Sequence, residues 1–316
     1  MKVLVTGAAG FIGGNLCRRL IDEKIPFIGL DSMIDNYGMS LKLDNVKKIR
    51  ASEVGEFIKA DITRPQDFKK LSGKGITHVV HLAARAGIRD STRMPHEYFS
   101  TNIGGTYNVL EFAKKCGAKS TILASTSSVY GLNTLPFTET QPVGTVLSIY
   151  AASKSGMEGC AHAFHHTTGL PITVLRFFTV YGPGGRPDMA VYKFSDLINR
   201  GKEIEIFGDG KSRRDFTYIS DVVDAIMLSL EAGFKFEVFN IGSSDSRELG
   251  ELVSLLEKNL GREAKRKYAA RFSEDVDFTL ADISKAKRLL GYSPKVGLEE
   301  GIEKFCRWFS EYNGLP

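Results

Sequence analysis

Short apolar runs alternate with longer amphipathic segments along the first half of the chain. The runs have the length and residue types of buried strands, and in chain order they are Lys2–Thr6, Pro26–Leu30, Glu56–Lys59, Thr77–His81, Ser120–Ala124 and Pro171–Leu175. Helical spacing marks the segments between them, including Phe11–Asp22, Tyr98–Cys116 and Tyr150–Thr168. This alternation predicts an α/β fold: a doubly wound, Rossmann-type parallel sheet with its ligand site at the carboxyl ends of the strands.

The pattern changes after about residue 176. Glycine and proline cluster in Tyr181–Pro187, a further strand is indicated at Phe236–Ile241, and Ile302, Phe305 and Phe309 have helical spacing near the end. We therefore expect residues 1–176 to form the larger domain and residues 177–316 to form a smaller, discontinuous, mixed α/β lobe. A segment near 215–245 is expected to return to the large sheet.

Composition narrows the class of protein. The 316 residues include 42 Lys and Arg against 37 Asp and Glu, a net charge of +5 that does not indicate nucleic-acid binding. No apolar run approaches the roughly 18 residues that a membrane span needs, and the apolar N-terminus reads as part of the fold rather than as a signal peptide. The four cysteines are scattered, which favours free thiols and a cytoplasmic location.

Three glycines join the first strand to the first helix. Gly7, Gly10 and Gly13 suit a tight turn, a close approach of backbone to a pyrophosphate, and a helix N-terminus that favours anions. Asp31 ends the second strand and is placed to bind ribose hydroxyls. Asp61 and Ile62 follow the third strand. The alternatives are a purely structural turn with a helix-capping Asp31, and a turn or cap role for Asp61.

Tyr150 and Lys154 lie four residues apart and therefore share one face of a helix. An ammonium beside a phenol favours the phenolate, so the pKa of Tyr150 is expected to fall towards neutrality, where the group can act as base and then acid. A hydroxyl-rich segment, residues 125–131, follows the fifth strand and offers Thr126 as a second donor. The alternative is an ordinary amphipathic helix beside a polar loop.

Five strings, TGAAGFIG, HLAA, STSSVYG, YAASK and RFFTVYGP, resemble the extended short-chain dehydrogenase/reductases, in particular their nucleotide-sugar epimerase branch. The resemblance covers essentially the whole chain. It implies that Tyr150, Lys154 and Thr126 are catalytic, that NAD is the cofactor, and that segments 98–116 and 150–168 pair in a homodimer. The implied cofactor-binding residues are Gly7, Gly10, Phe11, Ile12, Gly13, Asp31, Asp61, Ile62, Leu82, Ala83, Ala84, Asn102, Tyr150 and Lys154.

Within that branch the chain is similar to the UDP-glucuronate 4-epimerases. Ser127 and Ser128 stand where dehydratases and decarboxylases carry an acid, and Thr179 stands where galactose-type epimerases usually carry Asn. The resemblance implies a UDP-sugar substrate and conversion of UDP-glucuronate to UDP-galacturonate. The alternatives are a 4-epimerase of neutral UDP-hexoses, a decarboxylase or dehydratase, and, in another class, a catalytically silent nucleotide sensor or scaffold.

The same resemblance implies a set of substrate-binding residues. For the arginines the alternative is an ordinary surface role, and for the serines and threonines it is loop packing. The segment ending at Asp275 departs from the pattern that supplies a second phosphate-binding arginine in relatives. Arg271, one residue away from that position, is the candidate substitute. His162 and His166 are four apart, but no metal site is expected. The implied residues are Arg89, Thr126, Ser127, Ser128, Thr179, Arg186, Phe207, Arg214 and Asp275.

Overall fold

The computed structural model describes residues 1–35, 38–270 and 276–315. Its strands are β1 Val3–Thr6, β2 Phe27–Asp31, β3 Gly55–Lys59, β4 His78–His81, β5 Ser120–Thr126, β6 Ile172–Phe177, β7 Thr179–Tyr181, β8 Glu203–Phe207, β9 Arg213–Tyr218, β10 Phe236–Ile241, β11 Ser246–Glu248 and β12 Lys265–Ala269. Its α-helices are α1 Phe11–Asp22, α2 Ser40–Ala51, α3 Ile88–Arg93, α4 Pro95–Phe99, α5 Thr106–Lys115, α6 Ile149–Thr168, α7 Ala190–Asn199, α8 Ile219–Ala232, α9 Leu249–Leu260, α10 Ser284–Leu290 and α11 Leu298–Asn313.

The central sheet is parallel throughout and has the strand order β10-β6-β5-β4-β1-β2-β3 within the described residues. Each strand predicted in the first half is present, with its ends within two residues of the expected ones. The chain order reverses between β1 and β4, and this reversal opens a crevice at the carboxyl ends of the strands. The doubly wound fold is thus confirmed, and β10 joins the sheet beside β6.

Burial on both faces explains why these strands read as continuous apolar runs. Val3, Leu4 and Val5 of β1 are all fully buried, so neighbouring residues on opposite faces both contact helices. Burying one such side chain contributes about 1.5–3 kcal/mol. The central strands are therefore held rigidly, and the loops that leave them carry the site.

The segment predicted as helical over Tyr98–Cys116 is helical through Lys115, but it is not a single α-helix. Helix α4 passes into a π-helical turn, Ser100–Gly105, before α5 begins. Thr106 donates its hydroxyl hydrogen to the carbonyl of Asn102 at 2.6 Å. Gly105 packs so closely that a Cβ would lie 2.6 Å from Ile62 Cδ1. Such turns often occur at functional sites, and this one aims Asn102 inwards.

Two small sheets extend beyond the central one. Strands β11, β9 and β7 form one, and the parallel pair β12 and β8 forms the other. The expected C-terminal helix is α11, whose Ile302, Phe305 and Phe309 are buried. Among the described helices, none has the length and apolar character to span a bilayer.

Candidate active site

A cavity of about 440 Å³ opens where the chain order of the sheet reverses, within the usual size range of ligand pockets. It gathers most of the cofactor residues and two of the substrate residues expected from the sequence. These lining residues are Gly7, Gly10, Phe11, Ile12, Gly13, Asp31, Asp61, Ile62, Leu82, Ala83, Ala84, Thr126, Tyr150, Lys154 and Arg186.

The glycine turn forms one wall of this cavity. Gly7 has φ +72°, and a Cβ there would lie 2.7 Å from the backbone nitrogen of Ala83. A Cβ at Gly13 would lie 2.1 Å from the carbonyl oxygen of Gly7, so α1 can approach the turn only with glycine at this position. Helix α1 begins after Gly10, which supplies no side-chain cap. Its first-turn N–H groups are therefore suited to an anionic ligand.

Asp31 is fixed at the end of β2. Its carboxylate accepts hydrogen bonds from the N–H of Ala9 at 3.1 Å and of Met33 at 2.8 Å. The nearby Lys42, on α2, is buried and donates to the carbonyl of Ile34 at 2.6 Å. Burial lowers the pKa of Lys42, and the charge of Asp31 opposes that shift. No sequence motif pointed to Lys42, which lines the cavity from α2, a helix that packs against α1 and β3.

Asp61 has the turn role that was the alternative interpretation. Its Oδ1 accepts hydrogen bonds from the N–H of Thr63 at 2.9 Å and from the Thr63 hydroxyl at 2.8 Å. The residue also lines the cavity beside Ile62. A structural role and a contact to a ligand are therefore compatible here.

The predicted catalytic residues meet where β5 ends and α6 begins. Ser148 caps α6 by accepting a hydrogen bond from the N–H of Ala151 at 3.1 Å, so Tyr150 and Lys154 project from the first turns. The ammonium of Lys154 donates to the carbonyl of Ala124 at 2.7 Å. All three of Thr126, Tyr150 and Lys154 line the same cavity.

Burial controls the ionisation of these groups. It raises the pKa of Tyr150 above its ordinary value, although a hydrogen bond with Thr126 and the charge of Arg186 act in the opposite direction. The protein's own groups thus do not lower this pKa, and its fall towards neutrality stays a prediction. Burial also lowers the pKa of Lys154 to about 8, and the charge of Glu158 opposes that change.

Two further residues around the cavity, Arg85 and Tyr98, were missed by the sequence analysis. Arg85 lines the cavity, and its buried Nε has no hydrogen-bond partner among the described residues. Asn102 holds the Arg85 backbone by two bonds, accepting from its N–H at 2.8 Å and donating to its carbonyl at 2.9 Å. Tyr98 packs edge-on against Tyr150 with 6.3 Å between ring centroids. No sequence motif marks Arg85 or Tyr98.

The remaining predicted residues lie outside the walls of the main cavity. Ser128 bonds to Thr126 at the end of β5, with Ser127 between them, and Thr179 lines a small cavity of about 30 Å³ that Arg186 shares. Their roles stay predictions, as do those of Asn102, Phe207, Arg89 and Arg214. The guanidinium of Arg89 lies 4.3 Å from the centre of the Phe207 ring, and Arg214 donates to the carbonyls of Arg213 and Asp277. Asp275 and Arg271 lie outside the described residues.

Comparison of the sequence with known proteins identifies the family to which this site belongs. Residues 3–242 match the model of the NAD dependent epimerase/dehydratase family. The chain belongs to this family. It is 43% identical over 310 residues to a UDP-glucuronate 4-epimerase of Thermodesulfobacterium geofontis, covering 98% of this chain and 96% of the relative.

Solved structures of the family are similar over the full length. The UDP-glucuronic acid 4-epimerase from Bacillus cereus, in complex with UDP-glucuronic acid and NAD, has a TM-score of 0.93 and 37% identity, covering 99% of this chain and 100% of that one. The UDP-glucose 4-epimerase of Thermotoga maritima with UDP-glucose has a TM-score of 0.90 and 33% identity, with 99% and 100% covered. Overall shape therefore does not distinguish an acidic sugar from a neutral one.

Proposed function

We propose that this protein is an NAD-dependent isomerase that converts UDP-glucuronate to UDP-galacturonate by inverting carbon 4 of the sugar. The observation that carries the proposal is the convergence of Thr126, Tyr150 and Lys154 on one cavity with the glycine turn and Asp31. The UDP-glucuronate 4-epimerases similar to this chain over nearly its whole length support the choice of sugar.

The residues present fit NAD. The first-turn N–H groups of α1 lack a side-chain cap, and the buried Nε of Arg85 lacks a partner among the described residues, so the cavity offers donors that suit a pyrophosphate. Asp31 holds a fixed carboxylate at the position for ribose hydroxyls. We assign cofactor binding to residues 1–176 with the segment near 215–245, and substrate binding to the rest of 177–316.

Each side chain has a distinct task in this reaction. NAD, when bound, supplies the hydride acceptor for carbon 4. Tyr150 removes the proton of the C4 hydroxyl while that carbon becomes a ketone, and returns it when the opposite epimer forms. Thr126 donates a hydrogen bond to the same oxygen, and the ammonium of Lys154 favours negative charge in the cavity. The 4-keto sugar must turn over between the two proton transfers.

A uronate places an extra demand on the site. Oxidation at carbon 4 puts a ketone β to the C6 carboxylate, and β-keto acids lose CO₂ readily. The neutral hydroxyls of Ser127, Ser128 and Thr179 are proposed to hold that carboxylate by hydrogen bonds. With Arg186, Arg214, Arg89, Phe207 and Asp275 they complete the proposed substrate site.

The product spectrum tests this function. Purified protein is incubated in separate reactions with UDP-glucuronate, UDP-glucose or UDP-xylose, and the products of each reaction are resolved by NMR. UDP-galacturonate as the main product supports the proposal. UDP-galactose formed faster from UDP-glucose would favour a neutral-sugar epimerase, a UDP-pentose would favour a decarboxylase, and binding without turnover would indicate a sensor.

We also propose that the protein is a cytoplasmic homodimer. Phe99 and Tyr107 are 38% and 45% exposed on the segment predicted to pair. Tyr107 stacks edge-on against Phe164 of α6, with 5.9 Å between centroids, so the two helices present one aromatic surface. Light scattering should give twice the chain mass, and Tyr107→Glu should reduce that mass to one chain.

A further inference from the structure

A buried ion pair lies beneath the proposed catalytic residues. Arg176 of β6 donates from Nη2 to Glu158 Oε2 at 2.7 Å and from Nε to Oε1 at 3.0 Å. Their side chains are only 5% and 9% exposed. A pair of this kind contributes little net stability compared with apolar side chains of similar size. Its position therefore points to a role in the site above it.

The pair belongs to a longer chain of buried polar groups. Arg176 Nη1 donates to the hydroxyl of Tyr130 at 2.8 Å, and that hydroxyl donates to Asn240 Oδ1 at 2.6 Å. Arg176 lies opposite Ser125 on one side and Asn240 on the other in the sheet register. The guanidinium is thus fixed from two neighbouring strands, and it in turn fixes Glu158.

Glu158 is also one of three contacts that set β5 against α6. Three successive residues at the end of the strand contact three residues spaced one helical turn apart on α6, and the strand ends at the reacting hydroxyls. The contacts are Ala124 with Lys154 at 2.7 Å, Ser125 with Glu158 at 2.5 Å, and Thr126 with Tyr150.

We infer that Glu158 is a positioning residue for the reaction: clamped by Arg176, its carboxylate holds the end of β5 in register with α6 and stabilises the ammonium form of Lys154. This inference rests on the proposed function, in which Lys154 acts as a cation. Glu158 follows Lys154 by four residues, so the two share a helix face.

Several elements carry titratable or charged groups around this ammonium. Glu158 favours the charged form, and burial opposes it, leaving the pKa of Lys154 at about 8. Arg176, from β6, adds a positive charge behind Glu158. Tyr150, on α6, and Tyr130, after β5, have pKa values raised by burial. His81, from β4, has its pKa lowered to about 3 by burial and by Lys154, so it is neutral.

Glu158→Gln tests the electrostatic part with little change of shape. The holoenzyme is labelled with [¹³Cε]lysine, and the Lys154 signal is identified by its absence from Lys154→Met. A unit charge at about 6 Å in an effective dielectric near 20 shifts a pKa by about two units. We expect the titration midpoint of Lys154 to fall by about that amount, because the ammonium loses Glu158 and keeps Arg176.

Glu139→Gln is the matched control. The Glu139 carboxylate accepts a hydrogen bond from the N–H of Asn240 at 2.8 Å, and β10 lies two strands away from β5. The midpoint of Lys154 should not change in this variant. An unchanged midpoint in Glu158→Gln, or an equal fall in both variants, would overturn the inference.

Arg176→Met should move the midpoint in the opposite direction, since the ammonium then keeps Glu158 and loses a repelling charge. If the ion pair had only a structural role, Glu158→Gln and Arg176→Met would both lower the melting temperature, and the titration midpoint of Lys154 would not shift in opposite directions. If Arg176→Met does not fold, the comparison of Glu158→Gln with Glu139→Gln still tests the inference.

Turnover gives a second readout. The alkaline loss of kcat should move to lower pH in Glu158→Gln, with KM for UDP-glucuronate changed less than kcat. If the unmodified protein does not turn over UDP-glucuronate, the proposed function fails. The lysine titration then still tests Glu158 on its own.

Discussion

Asp31 is predicted to make the protein discriminate strongly between NAD and NADP. The carboxylate is held by the N–H groups of Ala9 and Met33, so it cannot easily turn away from the ribose. A 2′-phosphate would bring negative charge next to it. Two unit charges at 4 Å repel by about 1 kcal/mol in water and by about 4 kcal/mol at an effective dielectric of 20. The expected preference for NAD therefore lies between about 5-fold and about 10³-fold.

Lys42 is expected to reduce this preference for NAD over NADP. Its charge interacts with Asp31, and a cation near the ribose would attract a 2′-phosphate. The residues that follow Asp31 in the sequence, Ser32 and Met33, carry no positive charge, so only the structure reveals this cation. We expect Asp31→Asn to reduce the ratio of the NADP to the NAD dissociation constant by about 5-fold to about 10³-fold, and Lys42→Met to increase that ratio.

Isothermal titration of each variant with NAD and with NADP measures both constants. Asp44→Asn is the control, because Asp44 lies on the same helix as Lys42 but pairs with Lys48 and is 41% exposed. The ratio of the NADP and NAD dissociation constants in Asp44→Asn should equal that of the unmodified protein. Equal affinity of the unmodified protein for NAD and NADP would refute the argument from Asp31.

Three further variants address catalysis and binding. Tyr150→Phe should reduce kcat by about 10²–10⁴-fold with cofactor binding retained, and near-normal turnover in a coupled assay would contradict the assignment of the base. Arg85→Gln should weaken NAD or UDP by about 10- to 100-fold, as for a lost hydrogen bond to a charged group, and unchanged calorimetric affinities for both would exclude Arg85 from the site. Thr179→Val should lower epimerisation and raise the fraction of UDP-pentose seen by mass spectrometry, and an unchanged product ratio would show that the Thr179 hydroxyl does not hold the carboxylate.

Local signals were sufficient for much of the fold and part of the candidate site. The strands were predictable because burial on both faces leaves continuous apolar runs. Gly7 and Gly13 were identifiable because only glycine fits beside Ala83 and Gly7. The π-helical turn within the predicted helical segment was not identifiable from local signals. Its Gly105 packs against Ile62, a contact between distant parts of the chain.

Residues that reach the cavity through tertiary folding left no comparable signal. Lys42 and Arg85 are single cations in ordinary sequence surroundings. Lys42 reaches the cavity wall because α2 packs against α1 and β3, and two hydrogen bonds of Asn102 hold the backbone of Arg85 there. Glu158 is similar: its spacing from Lys154 is visible in the sequence, but its partner Arg176 lies on a different strand.

Tyr150 shows that the spacing of two residues does not by itself determine their ionisation. A separation of four residues correctly predicts that Tyr150 and Lys154 share a helix face, and from it alone one expects the ammonium to favour the phenolate. The structure adds two facts that the spacing does not contain: the Lys154 ammonium donates to the carbonyl of Ala124, and burial raises the pKa of Tyr150. Since burial disfavours charge on both groups, the proton balance of the site depends on what surrounds the pair. For that reason Glu158, which favours the ammonium from below, is the residue through which we expect the fold to act on the reaction.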